Sequence, residues 1–303
     1  MRKRLYPSIV VLIAVLSGHA AQAGPVTSGL ELWLKSDTGV TADINGRVSQ
    51  WDDQAIAVVQ NATQGTASQR PLLTTANIGI LSNHPVLFFD GFGNPTQSNR
   101  DFLSFTLANA NTYSGMTIFF VAQGTHDPLR SPENAAVQFV VASGGTAGAP
   151  SPGIRWAFGL GQLEPTAPAA LGWAGSGGSP HLGTGVNLDA NELYITSYVK
   201  TKGGGSGWTM EVNGAAVTSV ADTTFPTGNF NGIIGAESIV LDYAFTGYVA
   251  EILIYNRALS ATEVDDVYDY LDSRYLTPEP ASAALLVLMT LSCSGRRTWR
   301  RLR

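Results

Sequence analysis

The middle of this chain consists of short apolar runs whose residues alternate with polar ones and which are separated by frequent turn signals. A period of two is typical of strands that bury one face, and many such runs favour an antiparallel β-sandwich. We therefore predict an all-β fold. The candidate strands are Leu30–Leu34, Arg47–Trp51, Pro85–Asp90, Phe102–Leu107, Met116–Gln123, Val137–Ala142, Ile154–Leu160, Glu192–Lys200, Trp208–Val212 and Tyr248–Asn256.

Turn signals divide these runs. Asn213-Gly214 fits a type I′ hairpin turn, which needs two residues that tolerate a positive φ, so Trp208–Val212 should pair with Ala215–Val220. Two stretches rich in small residues, Gly144–Gly153 and Ala167–Gly185, are predicted to be loops, where ligands usually bind. The other turn signals are Asn45-Gly46, Asp90-Gly91, Gly203–Gly207 and Asn231-Gly232.

A helix is predicted from Ala258 to Tyr275. Ser260 and Glu263 have the spacing of a capping box, in which each side chain accepts a hydrogen bond from a free backbone N–H of the first turn. Apolar residues follow at helical spacing, and the acidic residues on the other side are interpreted as a solvated face and not as a metal site. The apolar face comprises Val264, Val267, Tyr268, Leu271 and Tyr275, and the acidic face comprises Asp265, Asp266, Asp269 and Asp272.

The N-terminal residues 1–23 have the composition of a secretory signal peptide. Three basic residues precede a short apolar run, and Ala21-Gln22-Ala23 matches an A-x-A cleavage site before Gly24. We therefore predict export through the Sec machinery and a mature body of residues 24–277, folded as one domain. A membrane anchor would need about 20 apolar residues, and this run is shorter.

Charge and cysteine content narrow the possible functions of the body. The two ends hold eight of the 18 Lys and Arg residues and one of the 23 acidic residues, so the body carries 10 basic and 22 acidic residues. This excess of acidic residues argues against nucleic-acid binding. The only cysteine, Cys293, lies outside the body, which therefore has neither disulfides nor a thiol nucleophile.

Several motifs in the body resemble one known family. The segments LELWLKSDTGVT, GRVSQWDDQA, HPVLFFDG and GYVAEILIYNRALSATEVDDVYDYLDSRY occur in the order found in bacterial laminin-G-like, concanavalin A-like jelly-roll domains. The resemblance extends from Leu30 to Tyr275. It implies two packed antiparallel sheets and a terminal helix that begins at the R-x-L-S-x-x-E motif.

The C-terminal residues 278–303 resemble the PEP-CTERM sorting signal. A proline-flanked motif precedes an apolar run, Ala281–Cys293, and an arginine-rich end. The resemblance implies transient insertion in the inner membrane, recognition by an exosortase, and release to the cell surface or outside of a Gram-negative bacterium. Arginines on the cytoplasmic side agree with the positive-inside rule. The signal residues are Pro278, Glu279, Pro280, Arg296, Arg297, Arg300 and Arg301.

Catalytic patterns are weak in this sequence. A retaining glycosidase needs two carboxyl groups about 5–5.5 Å apart, and the family's enzymes carry an E-x-D-x-x-E or E-x-D-x-E run on a strand. The strand Tyr248–Asn256 offers only Glu251, and no G-x-S-x-G or H-x-x-x-H motif is present. We therefore predict that the protein is not an enzyme.

Binding residues are predicted from side-chain chemistry. Trp156, Trp173 and Trp208 lie in or beside glycine-rich stretches and are the candidate glycan-binding residues, whereas packing is the simpler role for Trp33 and Trp51. A cofactor is not required, but calcium is a possibility, since Asp90 and Asp101 flank a polar segment and could supply oxygen ligands. Capping of a turn by Asp90 is the simpler explanation.

The favoured function is that of an exported, noncatalytic protein of the extracellular polysaccharide matrix or cell surface, which binds glycans or gives the matrix structure. Its predicted partners are the exosortase, the export machinery and extracellular polysaccharide, with no nucleic acid. The alternatives are a glycoside hydrolase or lyase on the same fold, and a protein-binding adhesin.

Overall fold

A computed structural model describes the body of the chain. The described residues are 24–56, 59–79, 81–91, 100–124, 137–143, 155–164, 167–175, 192–203, 207–220, 225–236 and 244–277. Within these ranges, the side chains of 81–82, 137–139, 143, 155–164, 167–175 and 217–220 are not described. The signal-peptide and sorting-signal predictions, and the predicted loop 144–153, lie outside this set. Gly24–Thr277 forms one compact unit.

The fold is a sandwich of two antiparallel sheets with one terminal helix, in agreement with the predicted jelly roll. The α-helix α1 spans Ala261–Tyr275. The strands are β1 Leu30–Lys35, β2 Val40–Ala42, β3 Val48–Trp51, β4 Ala62–Thr63, β5 Leu72–Ile78, β6 Leu81–Phe89, β7 Leu103–Leu107, β8 Gly115–Gly124, β9 Val137–Ser143, β10 Arg155–Glu164, β11 Ala167–Gly175, β12 Leu193–Thr201, β13 Trp208–Val212, β14 Ala215–Val220, β15 Phe230–Ile234 and β16 Gly247–Tyr255.

The two sheets have eight strands each. The first, which we call the helix-side sheet, has the order β14-β13-β12-β8-β16-β6-β5, and β1 pairs with β16. The second, which we call the open sheet, has the order β11-β10-β9-β15-β7-β4-β3-β2. About half of the neighbouring pairs in these orders, such as β8 with β16 and β7 with β15, join strands that are far apart in the sequence, so long-range pairing connects the local hairpins into the two sheets.

Two apolar clusters account for this layering. The first fills the space between the sheets and includes Trp51, Phe105, Phe120 and Trp208. The second lies on the other face of the helix-side sheet and is covered by α1. Alternate residues of β16 face the two clusters, since Ile252 and Ile254 belong to the first and Leu253 and Tyr255 to the second. A strand with both faces buried is almost continuously apolar, as YVAEILIYN is.

Local motifs give the predicted structures. β13 and β14 pair across Asn213-Gly214, whose φ angles are 48° and 74°, as a type I′ turn requires. The Ser260–Glu263 capping box is present. The predicted apolar face of the helix is buried, together with Tyr270.

The helix begins at Ala261 and not at the predicted Ala258, because hydrogen bonds hold the residues that precede it. The guanidinium of Arg257 donates to both carboxylate oxygens of Glu263 at 2.7 and 2.8 Å, and its Nε donates to the carbonyl of Ser28 at 3.0 Å. The hydrogen bonds from Arg257, together with those from the backbone and side chain of Ser260, lower the pKa of Glu263 to about 2. The R-x-L-S-x-x-E motif thus joins the helix start to the segment just before the first strand. None of the helices in the described part of the chain is long and apolar enough to cross a membrane.

Two predicted turn or loop segments are strands. Asn231-Gly232 lies inside β15, where Gly232 pairs with Phe105 and the ring of Phe105 occupies the space that a Cβ would need. This glycine therefore serves packing and not a turn. Residues 167–175 of the predicted loop 167–185 form β11, which pairs with β10 along its whole length. Pairing with β10 outweighs the weak strand propensity of an alanine-rich segment.

Candidate functional site

The outer face of the open sheet carries uncharged polar side chains on one half. Cross-strand pairs join Gln50 to Thr63, Thr63 to Ser104, and Thr106 to Asn231. Their chain neighbours Trp51, Ala62 and Phe105 lie in the inter-sheet core, so alternation places these five polar residues on the outer face. We call Gln50, Thr63, Ser104, Thr106 and Asn231 the polar patch.

The polar patch offers hydrogen-bonding groups without charge. Thr63 and Thr106 are exposed, and the other three residues are half-buried. The hydroxyl of Thr106 lies 3.2 Å from Oδ1 of Asn231, to which it donates. Hydroxyl and amide groups both donate and accept hydrogen bonds, as the hydroxyl groups of sugars do. The patch is therefore chemically suited to a neutral polar ligand.

An apolar section adjoins the polar patch on the same face. Ile233 pairs with Ser104 on one side and with Ala142 on the other, but Ile233 is only 2% exposed. It packs with Ala236, Ala244 and Phe102. On β15, the accessible polar part of the outer face therefore ends before Ile233.

The backbone register places two of the predicted glycan-binding tryptophans, Trp156 and Trp173, in different rows of the open sheet. Trp156 lies in β10 and Trp173 in β11, so both are in strands, and their side chains lie outside the described set. Ala157 of β10 pairs with Trp173 on one side and with Ala142 on the other. Ala142 in turn pairs with Ile233, which pairs with Ser104. These directly paired residues form one row across the sheet, which we call a register row. Trp173 therefore occupies the same register row as part of the polar patch, whereas Trp156 occupies the alternate row.

The third predicted glycan-binding residue, Trp208, is in the core. Its side chain is 1% exposed and belongs to the inter-sheet cluster, and the ammonium of Lys200 lies 5.4 Å from the ring centroid. A buried ring cannot stack on a sugar, so the prediction for Trp208 is corrected. In β13 the alternation of Trp208, Met210 and Val212 identifies the inward face. Trp51, assigned to packing, is fully buried.

Asp90 and Asp101, the predicted calcium ligands, are brought together at the base of the β6–β7 connection. The backbone N–H of Asp90 donates to Oδ2 of Asp101 at 3.0 Å, and the N–H of Asp101 donates to the carbonyl of Asp90 at 3.2 Å. Nη1 of Arg47 lies 3.4 and 3.5 Å from the two carboxylate oxygens of Asp101. The carboxylate of Asp101 thus accepts a backbone N–H at this base, and capping by the carboxylate of Asp90 stays a prediction.

These residues alone do not fit a calcium ion. Calcium takes six to eight oxygen ligands, whereas the side chain of Asp101 is only 2% exposed and already contacts a guanidinium. No group of three or more His, Cys, Asp or Glu suited to a metal occurs in the described ranges. Further ligands would have to come from residues 92–99, which the structure does not describe, so calcium binding stays a prediction.

Asp101 should make stability depend on pH. Burial raises its pKa to about 7 from 3.8, although the N–H of Asp90 and the guanidinium of Arg47 favour the ionised form. Because the folded pKa exceeds the unfolded one, this contribution to stability is complete below about pH 4 and is lost as the pH rises through about 7. Asp101→Asn should reduce the loss of stability between pH 5 and 8 by on the order of 2 kcal/mol.

Urea unfolding of the full-length chain at several pH values measures this effect, with the exposed Asp266→Asn as the control. The same slope in wild type and Asp101→Asn would contradict the assignment. A bound cation favours ionised carboxylates, so calcium that binds Asp101 should flatten the slope of the wild type but not that of Asp101→Asn.

The carboxylate of Glu251 lies between α1 and the helix-side sheet and is fully buried. Nε1 of Trp33 donates to its Oε1 at 2.6 Å, and the hydroxyls of Tyr270 and Tyr275 donate at 2.8 Å. Nε of Arg274 lies 3.2 Å from Oε2, and Arg274 also pairs with Asp37. We call Glu251 with these four contacting side chains the Glu251 hub.

The electrostatics of the hub indicate a structural role. Burial raises the pKa of Glu251, while the hydrogen bond from Trp33 and the charge of Arg274 favour its ionised form. All four partners present donors to the carboxylate, which leaves it without access to a substrate. The sequence identified Glu251 as the one acidic residue of its strand, but not its partners on β1 and α1. An acidic residue inside an apolar strand was the available signal, since a buried charge needs partners.

Comparisons with known proteins agree with the architecture. Residues 127–265 match the Laminin_G_3 family model, described as the concanavalin A-like lectin/glucanases superfamily. Domain 4 of AbnA, a GH43 extracellular arabinanase from Geobacillus stearothermophilus solved with arabinotriose, is 13% identical, with a TM-score of 0.50 over 80% of this chain and 100% of that one. No protein of curated function matched the sequence.

Two further similar structures have lower TM-scores. Trypanosoma rangeli sialidase is 15% identical with a TM-score of 0.47, and the match covers 85% of this chain and 35% of the sialidase, about a third of its length. A SAP-like pentraxin from Limulus polyphemus is 12% identical with a TM-score of 0.43, over 58% of this chain and 78% of that one. At these identities, similarity extends to the fold alone.

These comparisons correct the prediction that the protein is not an enzyme. The first of these structures is a domain of an extracellular arabinanase, so the same architecture occurs within the chain of an enzyme. The absence of a familiar carboxylate run therefore does not exclude catalysis. The structural comparisons support the concanavalin A-like fold, and the role of this chain is a proposal.

Proposed function

We propose that this protein is exported and binds extracellular polysaccharide through the outer face of the open sheet. The polar patch is the observation that carries the proposal, because it presents five uncharged hydrogen-bonding side chains on one exposed face. Trp173, in the same register row, is the proposed stacking residue. The family match over residues 127–265, described as lectins and glucanases, adds support for a carbohydrate ligand.

The chain ends extend the proposal to location. The leader 1–23 directs export, and the tail, with Pro278–Pro280, the apolar run and the arginines, holds the protein in the inner membrane until an exosortase processes it. The product then reaches the cell surface or the polysaccharide matrix. This stage has two proposed partners, the export machinery and the exosortase.

Binding of full-length protein to a panel of polysaccharides tests the function. A double variant, Thr106→Ala with Asn231→Ala, should lose about 30-fold in affinity, since each of the two lost hydrogen bonds is worth about 1 kcal/mol. Trp173→Ala should lose at least as much affinity. Trp156→Ala should not lose affinity through a missing contact with the ligand. Thr209→Ala is the matched control, because Thr209 is equally exposed on the helix-side sheet.

Retention of wild-type affinity in the Thr106/Asn231 variant would reject the polar patch. Failure of the wild type to bind any polysaccharide, with native folding verified by its unfolding curve, would reject glycan binding. Each incubation is also assayed for released oligosaccharides, whose appearance would add catalysis to binding.

A further inference from the structure

An acidic side chain adjoins the polar patch on the outer face of the open sheet. Trp51 and Asp53 are buried, so alternation places Asp52, between them, on the outer face together with Gln50. Nε2 of Gln50 donates to Oδ1 of Asp52 at 2.7 Å. Asp52 is half-buried, and none of the ion pairs between described residues includes it. Its carboxylate therefore contacts the patch without a cation in direct contact.

The backbone holds Asp52 in this position. Its N–H donates to the carbonyl of Gly39 at 2.7 Å, and its own carbonyl accepts Nε2 of Gln54 at 3.0 Å. A Cβ on Gly39 would lie only 2.7 Å from Cβ of Asp52 and 2.6 Å from Nε2 of Gln54. Glycine is thus required at this position, where φ is 71° and the two segments approach closely. This approach keeps the carboxylate against Gln50.

Asp52 orients the amide of Gln50. An ionised carboxylate only accepts hydrogen bonds, so the N–H₂ group of Gln50 faces Asp52 and its Oε1 faces away. Gln50 pairs with Thr41 of β2 on one side and with Thr63 of β4 on the other, and both threonines are exposed. A ligand that lies across these strands therefore meets an acceptor at Gln50, which suits a hydroxyl group and disfavours a carboxylate.

The charge of Asp52 is close to any group that binds this amide. A hydrogen bond of about 2.9 Å, added to the 2.7 Å between Nε2 of Gln50 and Oδ1 of Asp52, places a ligand oxygen within about 6 Å of the carboxylate. Two negative charges about 5 Å apart in water repel each other enough to weaken binding about fourfold. The repulsion acts on an acidic ligand only.

We propose that Asp52 makes the polar patch selective for neutral polysaccharides over polymers of uronic acids. The inference rests on the proposed function and names the class of polysaccharide that it concerns. Recognition of a carboxylate typically uses the paired N–H groups of arginine, whereas the patch is uncharged. Arg70, which follows β4, donates from Nε and Nη2 to the carbonyls of Gln64 and Gly65 at 2.9 and 3.1 Å, so these groups are already bonded within the fold.

Affinities of the full-length chain for matched pairs of soluble polymers test the inference. The pairs are galactan with polygalacturonate, glucan with polyglucuronate, and mannan with polymannuronate. At low salt the wild type should bind at least one neutral polymer, and its acidic partner at least about fourfold more weakly. In Asp52→Asn the ratio of the two affinities should fall by about fourfold, and in the wild type salt should reduce it, because salt screens the repulsion.

Asp266→Asn is the matched control. Asp266 is exposed on α1, which covers the other sheet, and the variant loses the same charge far from the patch. Its ratio of affinities should equal that of the wild type. An equal change of the ratio in Asp266→Asn and Asp52→Asn would overturn the inference, because the charge of the whole body would then set the selectivity.

The remaining outcomes separate the inference from the proposed function. Equal affinity for a neutral polymer and its acidic partner, or tighter binding of the acidic one, would overturn the selectivity and leave polysaccharide binding in place. Binding of none of the six polymers, by protein with a native unfolding curve, would count against the proposed function and overturn the inference with it.

Discussion

Glu251→Gln should lower the free energy of unfolding by about 3–5 kcal/mol at neutral pH, the range found when one partner of a buried ion pair is removed. The variant loses the charge opposite Arg274 and places an amide N–H₂ among groups that are themselves donors, from Trp33, Tyr270 and Tyr275. At least one of these donors then loses its acceptor in a buried site. The measurement is urea unfolding of the full-length chain, followed by tryptophan fluorescence.

Glu192→Gln is the control for the same chemical change at an exposed position, where an effect within about 0.5 kcal/mol is expected. A midpoint for Glu251→Gln equal to that of Glu192→Gln would show that the hub does not stabilise the fold. The pH dependence gives a second readout. Because burial raises the pKa of Glu251, its contribution to stability falls as the pH rises through that pKa, and Glu251→Gln should remove this part of the slope.

The parts of the fold that the sequence predicted well depend on neighbouring residues. The Asn213-Gly214 turn and the Ser260–Glu263 capping box each depend on only a few consecutive residues, so the sequence alone predicted both correctly. The long strands, such as β8 and β16, combine enough apolar residues to stand out. The short strands β2 and β4, with three and two residues, carry too little pattern to be recognised.

The parts that were missed depend on distant residues. Gly232 was predicted to be a turn residue, and only its pairing with Phe105 on the neighbouring strand shows that it serves packing. Glu251 accepts a hydrogen bond from Trp33, which lies 218 positions away in the sequence, and no local pattern predicts that contact. The same holds for the candidate site, since the polar patch combines strands β3, β4, β7 and β15, and only their pairing places its side chains on one face.

Trp208→Ala should lower the free energy of unfolding by about 3–5 kcal/mol, as truncation of a large buried aromatic residue usually does. Trp208 is 1% exposed and packs between the sheets, so truncation to alanine leaves a cavity in the core. Trp208→Phe, which keeps an aromatic ring, should recover a large part of the loss. Urea unfolding midpoints of both variants give the measurement.

Comparison with Trp173→Ala separates packing from ligand binding. Trp208→Ala should lose stability, and its binding of polysaccharide should fall only as far as unfolded protein accumulates. Trp173→Ala should lose binding with a smaller change in the unfolding midpoint. A Trp208→Ala protein that keeps the wild-type midpoint but no longer binds polysaccharide would contradict the core assignment, because only a residue in contact with the ligand removes binding without loosening the fold.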